Sequence, residues 1–369
     1  MYRIIGAGLA GCLIALELEA EGCQVELIGK ATESSASEAA AGVFNPVTGR
    51  RLQRTWLAEE LFAYLPGYYK ALEERLQARF FYPLPNARPL YTAEERADAE
   101  RQAAKPSLSS FIKVVDHIPH LHHEPERATF GWFIVENAGF VEVQELCRAA
   151  RAYFGKKCCF RDEWVEGSLT ENGKWKMENE SQSKIEHRAS NIDFPLTIKT
   201  ILCQGHLAVQ NPLTQHLPLA PLKGEIIRVQ PSIAETLPAV LNRNGYIAPR
   251  PDGTWWVGST YEHQFDTVQP TAVGREALLE KANRIGKVEV EVVGHQAGIR
   301  PSVFDRRPLL GRLPDHPEVA VFNGLGTKGV SLGPYFAGHL VRHLLYNEPL
   351  MEEVRADRVV RPDVKTNAE

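Results

Sequence analysis

Three glycines near the start of the chain, Gly6, Gly8 and Gly11, stand in the spacing G-A-G-L-A-G. That spacing suits a backbone that must approach a pyrophosphate. Gly6 permits a tight turn out of a strand, Gly8 removes the side chain between backbone and phosphate, and Gly11 lets helix and strand pack closely. The free N–H groups of the following helix would face the phosphates. An ordinary glycine-rich turn is the alternative, and context argues against it. Arg3-Ile4-Ile5 reads as a short buried strand, Leu9 to Glu21 as an apolar helix, and Gln24 to Ile28 as a second strand. A dinucleotide fold usually places an acid about 20 residues on, at the end of the second strand, to bind a ribose. Gly29-Lys30 stands there instead. The pyrophosphate contact is therefore expected and the ribose contact is left unassigned, with Lys30 the nearest candidate at the cofactor.

A second group of chemically capable residues is the run DHIPHLHH, with His117, His120, His122 and His123. Histidine is a common metal ligand. The spacing is not the i,i+4 pair of a zinc helix, and Pro119 argues against a helix at all. A solvated loop is the expectation, and no metal is assigned.

The elements that must position these residues follow from composition and pattern. The chain has 369 residues, enough for two domains, and is 44% hydrophobic and 24% charged. A formal net charge of −4 gives no global attraction to polyanions, though a local basic face is compatible with it. The six cysteines show no CxxC spacing, which fits a reduced, cytoplasmic protein. No charged leader precedes the first strand, and no apolar run reaches the ~20 residues that span a bilayer, so neither a signal peptide nor a membrane partner is expected.

After the first unit, Ala31 to Arg51 is small, polar and glycine-containing, and reads as a loop approaching a cofactor. Thr55 to Gln77 reads as two helices or one helix broken at Pro66-Gly67. Strand-like pieces follow in Phe80 to Tyr91, Phe111 to Val115, Phe130 to Val135 and Phe140-Val141, with helices over Ala93 to Ala104 and Val143 to Phe154. Cys158 to Val165, Lys174 to Glu178 and Thr197 to Gly205 read as strands, the last ending at Gly205 beside the cofactor. From Leu217 alternation and Pro-Asp-Gly turn chemistry mark antiparallel strands, with a helix over Ala272 to Arg284. A buried strand, Val319 to Phe322, then leads through NGLGTKGVSLGP into a final helix from about Tyr335 to Tyr346, a second glycine-rich junction.

Four stretches together resemble the D-amino-acid-oxidase-like family of FAD enzymes: IIGAGLAG, SSASEAAAGVFNP, GYIAPRPDGTWWVGSTYE, and GIRPSVFDRRPLLGRLP followed by VFNGLGTKGVSLGP. They span nearly the whole chain. The resemblance implies an α/β (α+β overall) architecture: a glutathione-reductase-type FAD-binding Rossmann domain from 1–80, 136–215 and 296–369, and an antiparallel-sheet substrate domain from 81–135 and 216–295. Within the family the chain is most similar to glycine-oxidase-like amine oxidases and, through LCQGH and LPLAPLKGEI, to the FAD domain of bifunctional tRNA wobble-uridine modification enzymes.

The family chemistry is hydride transfer from the carbon beside the substrate nitrogen to flavin N5, with hydrolysis of the imine. The flavin carries the reaction and the protein supplies binding, orientation and electrostatics. The resemblance implies Arg300, in GIRPS, as the anchor of a substrate carboxylate, and Tyr246, in GYIAPR, as a hydroxyl donor to the same group; a surface ion pair and a packed strand tyrosine are the respective alternatives. Arg250 either faces the pocket or pairs structurally. For FAD it implies Gly6, Gly8 and Gly11 at the pyrophosphate, Gly42 and Val43 along the isoalloxazine, Val165 at the adenine, and Gly324, Gly326, Lys328, Gly329 and Val330 at the pyrimidine side. With Ser302 and Val303 where some relatives carry a linking cysteine, non-covalent FAD is expected. The expected partner is a small amine or amino acid. Two other functions stay open: removal of a carboxymethyl group from a wobble uridine of tRNA, and flavin binding without turnover.

Overall fold

A computed structural model describes residues 1–30, 34–49, 52–121, 129–163, 199–232, 237–286 and 289–358. The first strand, Tyr2–Ile5, runs into the first helix, Leu9–Ala20, and the chain returns as the strand Val25–Ile28. Both strands are parallel neighbours. The helix buries Leu9, Cys12, Leu13, Ile14, Leu16 and Leu18, so it is apolar around most of its circumference and lies inside the protein.

These strands belong to a six-stranded sheet in the order Phe160–Arg161, Val25–Ile28, Tyr2–Ile5, Lys199–Leu202, His316–Asn323, Leu309–Leu313. All neighbours are parallel except the last pair, which is antiparallel. An eight-stranded sheet has the order Val290–Val303, Leu219–Pro231, Trp255–Gly258, Tyr246–Pro249, Val240–Asn242, Asn86–Pro89, Trp132–Val135, Ile112–Val115. It is antiparallel throughout except where Val240–Asn242 runs parallel to Asn86–Pro89. A three-stranded sheet of Val43–Phe44, Gly139–Val141 and Phe81–Pro83 bridges the two. One large core surrounds the first helix, and a second lies between the eight-stranded sheet and the helix Ala272–Ile285, around Trp255, Ile227, Val257 and Leu278.

Two expectations are corrected by helices that tolerate an internal proline. The segment expected to break at Pro66 is one helix, Ala58–Leu76, whose buried face of Leu61, Phe62, Leu65, Tyr69 and Leu72 runs through the proline. Burial of that stripe offsets the roughly 3 kcal/mol that an interior proline costs. The final helix starts at Gly329, six residues before the expected Tyr335, and contains Pro334. Proline cannot donate to the carbonyl four residues back, here Val330 O. The Tyr69 hydroxyl donates to that carbonyl instead, at 2.7 Å, and satisfies it in the core. Gly329 and Gly333 lie against the Leu9 and Leu13 side chains of the first helix, where an added Cβ would press on those leucines at 3.1 and 2.7 Å, which lets the two helices pack closely. The strand expected over Cys158 to Val165 is Phe160–Arg161, with residues from 164 outside the described ones. The strand expected over Lys174 to Glu178 also lies outside them.

Candidate functional site

A cavity of about 1040 Å³ runs between the two large sheets. Its six-stranded-sheet side is bounded mainly by backbone. Gly6 turns out of the first strand at φ +110°, and a Cβ there would meet Cys203 O at 2.2 Å. Gly8 and the first turn of the first helix open onto the cavity. Gly11 does not line it; a Cβ at Gly11 would meet Gly6 O at 1.7 Å, so this glycine lets the helix seat against the turn. Gly29 follows the same logic, its missing Cβ leaving 2.5 Å to Ala7 N, and the exposed Lys30 beside it lines the cavity.

The second junction faces the first. Gly205, Gly324, Gly326, Lys328, Gly329 and Val330 all line the cavity. Asn323, a buried residue that sequence reading passed over, ties the junctions together. Its Nδ2 donates to Gly205 O at 2.9 Å and its Oδ1 accepts from Gly324 N at 2.8 Å. Neither the first helix nor the final helix carries an acid in its first turn. Two uncompensated positive helix ends therefore point into one cavity. Lys328 is half-buried, and burial, with Arg306 and Arg307 nearby, lowers its pKa. Gly42 and Val43 line the cavity as well, with Gly42 at φ +63° where a Cβ would strike Val141 O. This glycine-bounded channel, of the size of a large ligand site, with Glu163 as the one acid among its described lining residues and two acid-free helix starts facing it, fits an elongated anionic cofactor such as FAD. Val165 lies outside the described residues.

The eight-stranded sheet presents side chains instead. Tyr246 and Arg300 both line the cavity. Arg300 is half-buried, forms no ion pair among the described residues, donates from Nη1 to Thr260 O at 3.2 Å, and lies 4.9 Å from the centre of the Tyr261 ring. Burial pushes the Tyr246 phenol well up, with Arg300 opposing, so the hydroxyl stays a donor. Two strand glycines that sequence reading missed make room for this pair. A Cβ at Gly224 would meet the Arg300 guanidinium at 2.1 Å, and one at Gly258 would meet the Tyr246 hydroxyl at 2.1 Å. Glycine inside a strand signals such close approach, and LKGEI and WWVGST carried that signal.

Arg250 resolves to the structural alternative. It pairs with Glu142 at 3.0 Å, stacks on Trp256, and does not line the cavity. His117 and His120 are exposed, while His122 and His123 lie outside the described residues. Among the described residues no group of three His, Cys, Asp or Glu could hold a metal ion, and no helix is long and apolar enough to cross a membrane.

The family model of FAD-dependent oxidoreductases (DAO) matches residues 2–344. An uncharacterised oxidoreductase, YurR of Bacillus subtilis, is 24% identical over 360 residues, covering 93% of this chain and 94% of that protein. The tRNA 5-methylaminomethyl-2-thiouridine biosynthesis bifunctional protein MnmC of Burkholderia lata is 28% identical over 331 residues, covering 85% of this chain and 48% of that protein. The chain thus spans about half the length of the MnmC relatives it matches. Among solved structures, iminodiacetate oxidase from Chelativorans sp. BNC1 superposes with a TM-score of 0.75 at 22% identity, covering 97% of this chain and 100% of that one. Glycine oxidase from Geobacillus kaustophilus gives 0.73 at 23%, covering 98% and 99%.

Proposed function

The chain belongs to the DAO family of FAD-dependent oxidoreductases, and on that premise we propose that it oxidises the C–N bond of a small amino acid or secondary amine. The observation that carries this reading is Arg300: a guanidinium in the cavity wall with a backbone carbonyl as hydrogen-bond partner and, among the described residues, no ion-paired acid. A guanidinium so placed has donors free for a carboxylate, which it binds through two parallel hydrogen bonds. Bound FAD supplies the two-electron acceptor. The protein's own residues fix the substrate. Arg300 holds the carboxylate, the protonated Tyr246 hydroxyl donates to it, and the carbon beside the nitrogen is thereby oriented. The C–N bond becomes an imine, which water hydrolyses. At the cofactor, Gly6, Gly8 and the first helix end serve the pyrophosphate, with Gly11 seating that helix. The final helix end, with Lys328, serves the opposite end of the channel.

The direct test is anaerobic bleaching of the visible flavin spectrum by glycine, sarcosine, proline, D-amino acids and undermodified tRNA. Bleaching by a small amine is expected. In Arg300→Ala the KM of that amine should rise about 100-fold with flavin content unchanged; an unchanged KM would remove Arg300 from the site. A second reading, removal of a carboxymethyl group from a tRNA wobble uridine, is supported by the likeness to the MnmC proteins and by LCQGH and LPLAPLKGEI. Bleaching by tRNA alone would favour it.

A further inference from the structure

The wall that holds Arg300 is a bulge. Strands Leu219–Pro231 and Trp255–Gly258 pair at Ile226 with Gly258, and the same two chain segments meet again at Lys223 with Glu262. Between those pairs one segment supplies Gly224 and Glu225, and the other supplies Ser259, Thr260 and Tyr261. The extra residue turns Thr260 O onto Arg300 and brings the Tyr261 ring over the guanidinium. Ser259 and Tyr261 both line the cavity.

What holds the bulge lies on the opposite face of the strand. Leu222, Gly224 and Ile226 face the cavity, whereas Lys223 and Glu225 are fully buried, at 0% exposure each. Glu225 ties together four parts of the molecule. Its backbone N–H donates to Thr260 Oγ1 at 2.8 Å and its carbonyl accepts from Thr260 N at 3.1 Å. Its carboxylate accepts from Thr271 N at 3.1 Å and Thr271 Oγ1 at 2.9 Å, at the N-terminus of the helix Ala272–Ile285. It also meets His295 Nε2 at 2.8 Å and Lys223 Nζ at 3.0 Å. Glu262 completes the cluster, 3.7 Å from Lys223 and accepting from Thr260 Oγ1 at 3.2 Å. On the outer side Lys281 donates to Ser259 O at 2.6 Å. A buried charge cluster of this kind is a poor way to add stability, since a well-packed apolar set often does as well or better. Its hydrogen bonds instead tie the backbone of the bulge to the strand beside it and to the helix Ala272–Ile285.

We propose that Glu225 is a positioning residue for Arg300. Acting through the Ser259–Glu262 bulge, with Lys223 as counter-ion, it sets where the guanidinium receives the substrate carboxylate. The proposal rests on the reading of Arg300 as that anchor.

The test compares the flavin-loaded full chain with Glu225→Gln, Glu225→Asp, Glu262→Gln and Arg300→Ala. Visible spectra and Tm report folding and flavin loading. The other readouts are KM and kcat for the amine that bleaches best, and the dissociation constant of glycolate, a carboxylate lacking the amine, from its perturbation of the flavin spectrum. In Glu225→Gln, KM and the glycolate constant should each rise about 10-fold, with kcat within about 3-fold and an unchanged spectrum. Glu225→Asp should recover part of the loss. Should Glu225→Gln fail to fold, Glu262→Gln, at the partly exposed edge of the cluster, carries the test with a rise of about 3-fold. A lowered Tm with unchanged KM and glycolate binding in the variant that folds would overturn the proposal. The outcomes separate from those of the parent reading: unchanged glycolate binding in Arg300→Ala removes the anchor itself. Weakened binding there, with none in Glu225→Gln or Glu262→Gln, removes only the positioning role.

Discussion

The two large sheets bound the same cavity by opposite means. On the six-stranded side the boundary is mainly backbone: Gly6, Gly8, Gly205, Gly324 and two helix ends. There the glycines clear space for main chain or leave it open to a ligand. On the eight-stranded side the boundary is side chain: Arg300, Tyr246 and Tyr261. There the glycines at 224 and 258 clear space for those side chains. A backbone site is specified within one turn and suits a ligand that stays the same across a family. A side-chain site depends on register between strands distant in sequence and suits a ligand that varies.

The comparison predicts that damage on the two sides separates into loss of cofactor and loss of substrate affinity. The largest effect belongs to Gly11→Ala. The new Cβ would meet a backbone oxygen, Gly6 O, at 1.7 Å, and backbone cannot swing aside as a side chain can. The purified protein should carry essentially no flavin, read from its visible absorbance after gel filtration. A variant with full flavin would show that the first helix need not seat against this turn.

Next comes Gly224→Ala. The added methyl would sit 2.1 Å from the Arg300 guanidinium, the free end of a flexible side chain, so the side chain moves and the sheet survives. Flavin content should stay near that of the wild type while KM rises about 10- to 100-fold. Loss of flavin in this variant would mean that the two sides are not separable.

The same contrast explains what could be read from the sequence. Gly6, Gly8 and Gly11 announce themselves because strand, turn and helix lie in one short stretch, and the structure places them in that order. Asn323, beside the second glycine junction, was not legible, because its partner Gly205 is far away in the chain. The extent of the final helix was hidden for a similar reason. Pro334 reads locally as a stop, and only the distant Tyr69 hydroxyl satisfies the carbonyl it strands. Lys223, Glu225 and the three-against-two bulge were likewise unreadable: LKGEI looks like an alternating strand with a solvated charged face, but the helix Ala272–Ile285 covers that face.

A smaller effect tests the buried cluster by pH. Burial raises the pKa of Glu225, but hydrogen bonds from Thr271 and the neighbouring Lys223 outweigh it, so the folded carboxyl titrates below its usual value of about 4.5. A depressed folded pKa means that the unfolded chain binds the proton more readily. The resulting stability is fully present above about pH 4.5 and is lost as pH falls through the folded value. Glu225→Gln lacks this contribution. Its Tm should lie below that of the wild type at neutral pH, and the gap should narrow as pH falls below about 4.5. A gap of constant size across that range would show that the carboxylate's charge contributes nothing to the fold.

The smallest expected effect is Tyr246→Phe, and it sharpens the comparison most. The ring stays over Gly258 and only the hydroxyl is lost, so packing and flavin loading should be unchanged. One hydrogen bond to a charged group contributes about 1.5 kcal/mol, so KM should rise roughly 10-fold if the hydroxyl donates to the carboxylate. Because that bond is made in the ground state as in the transition state, kcat should hardly move. Combined with Arg300→Ala, the tyrosine change should cost much less than it does alone, since both act on one carboxylate. Full additivity of the two would place the Tyr246 hydroxyl on a different part of the substrate and leave Arg300 as the sole anchor on this side of the cavity.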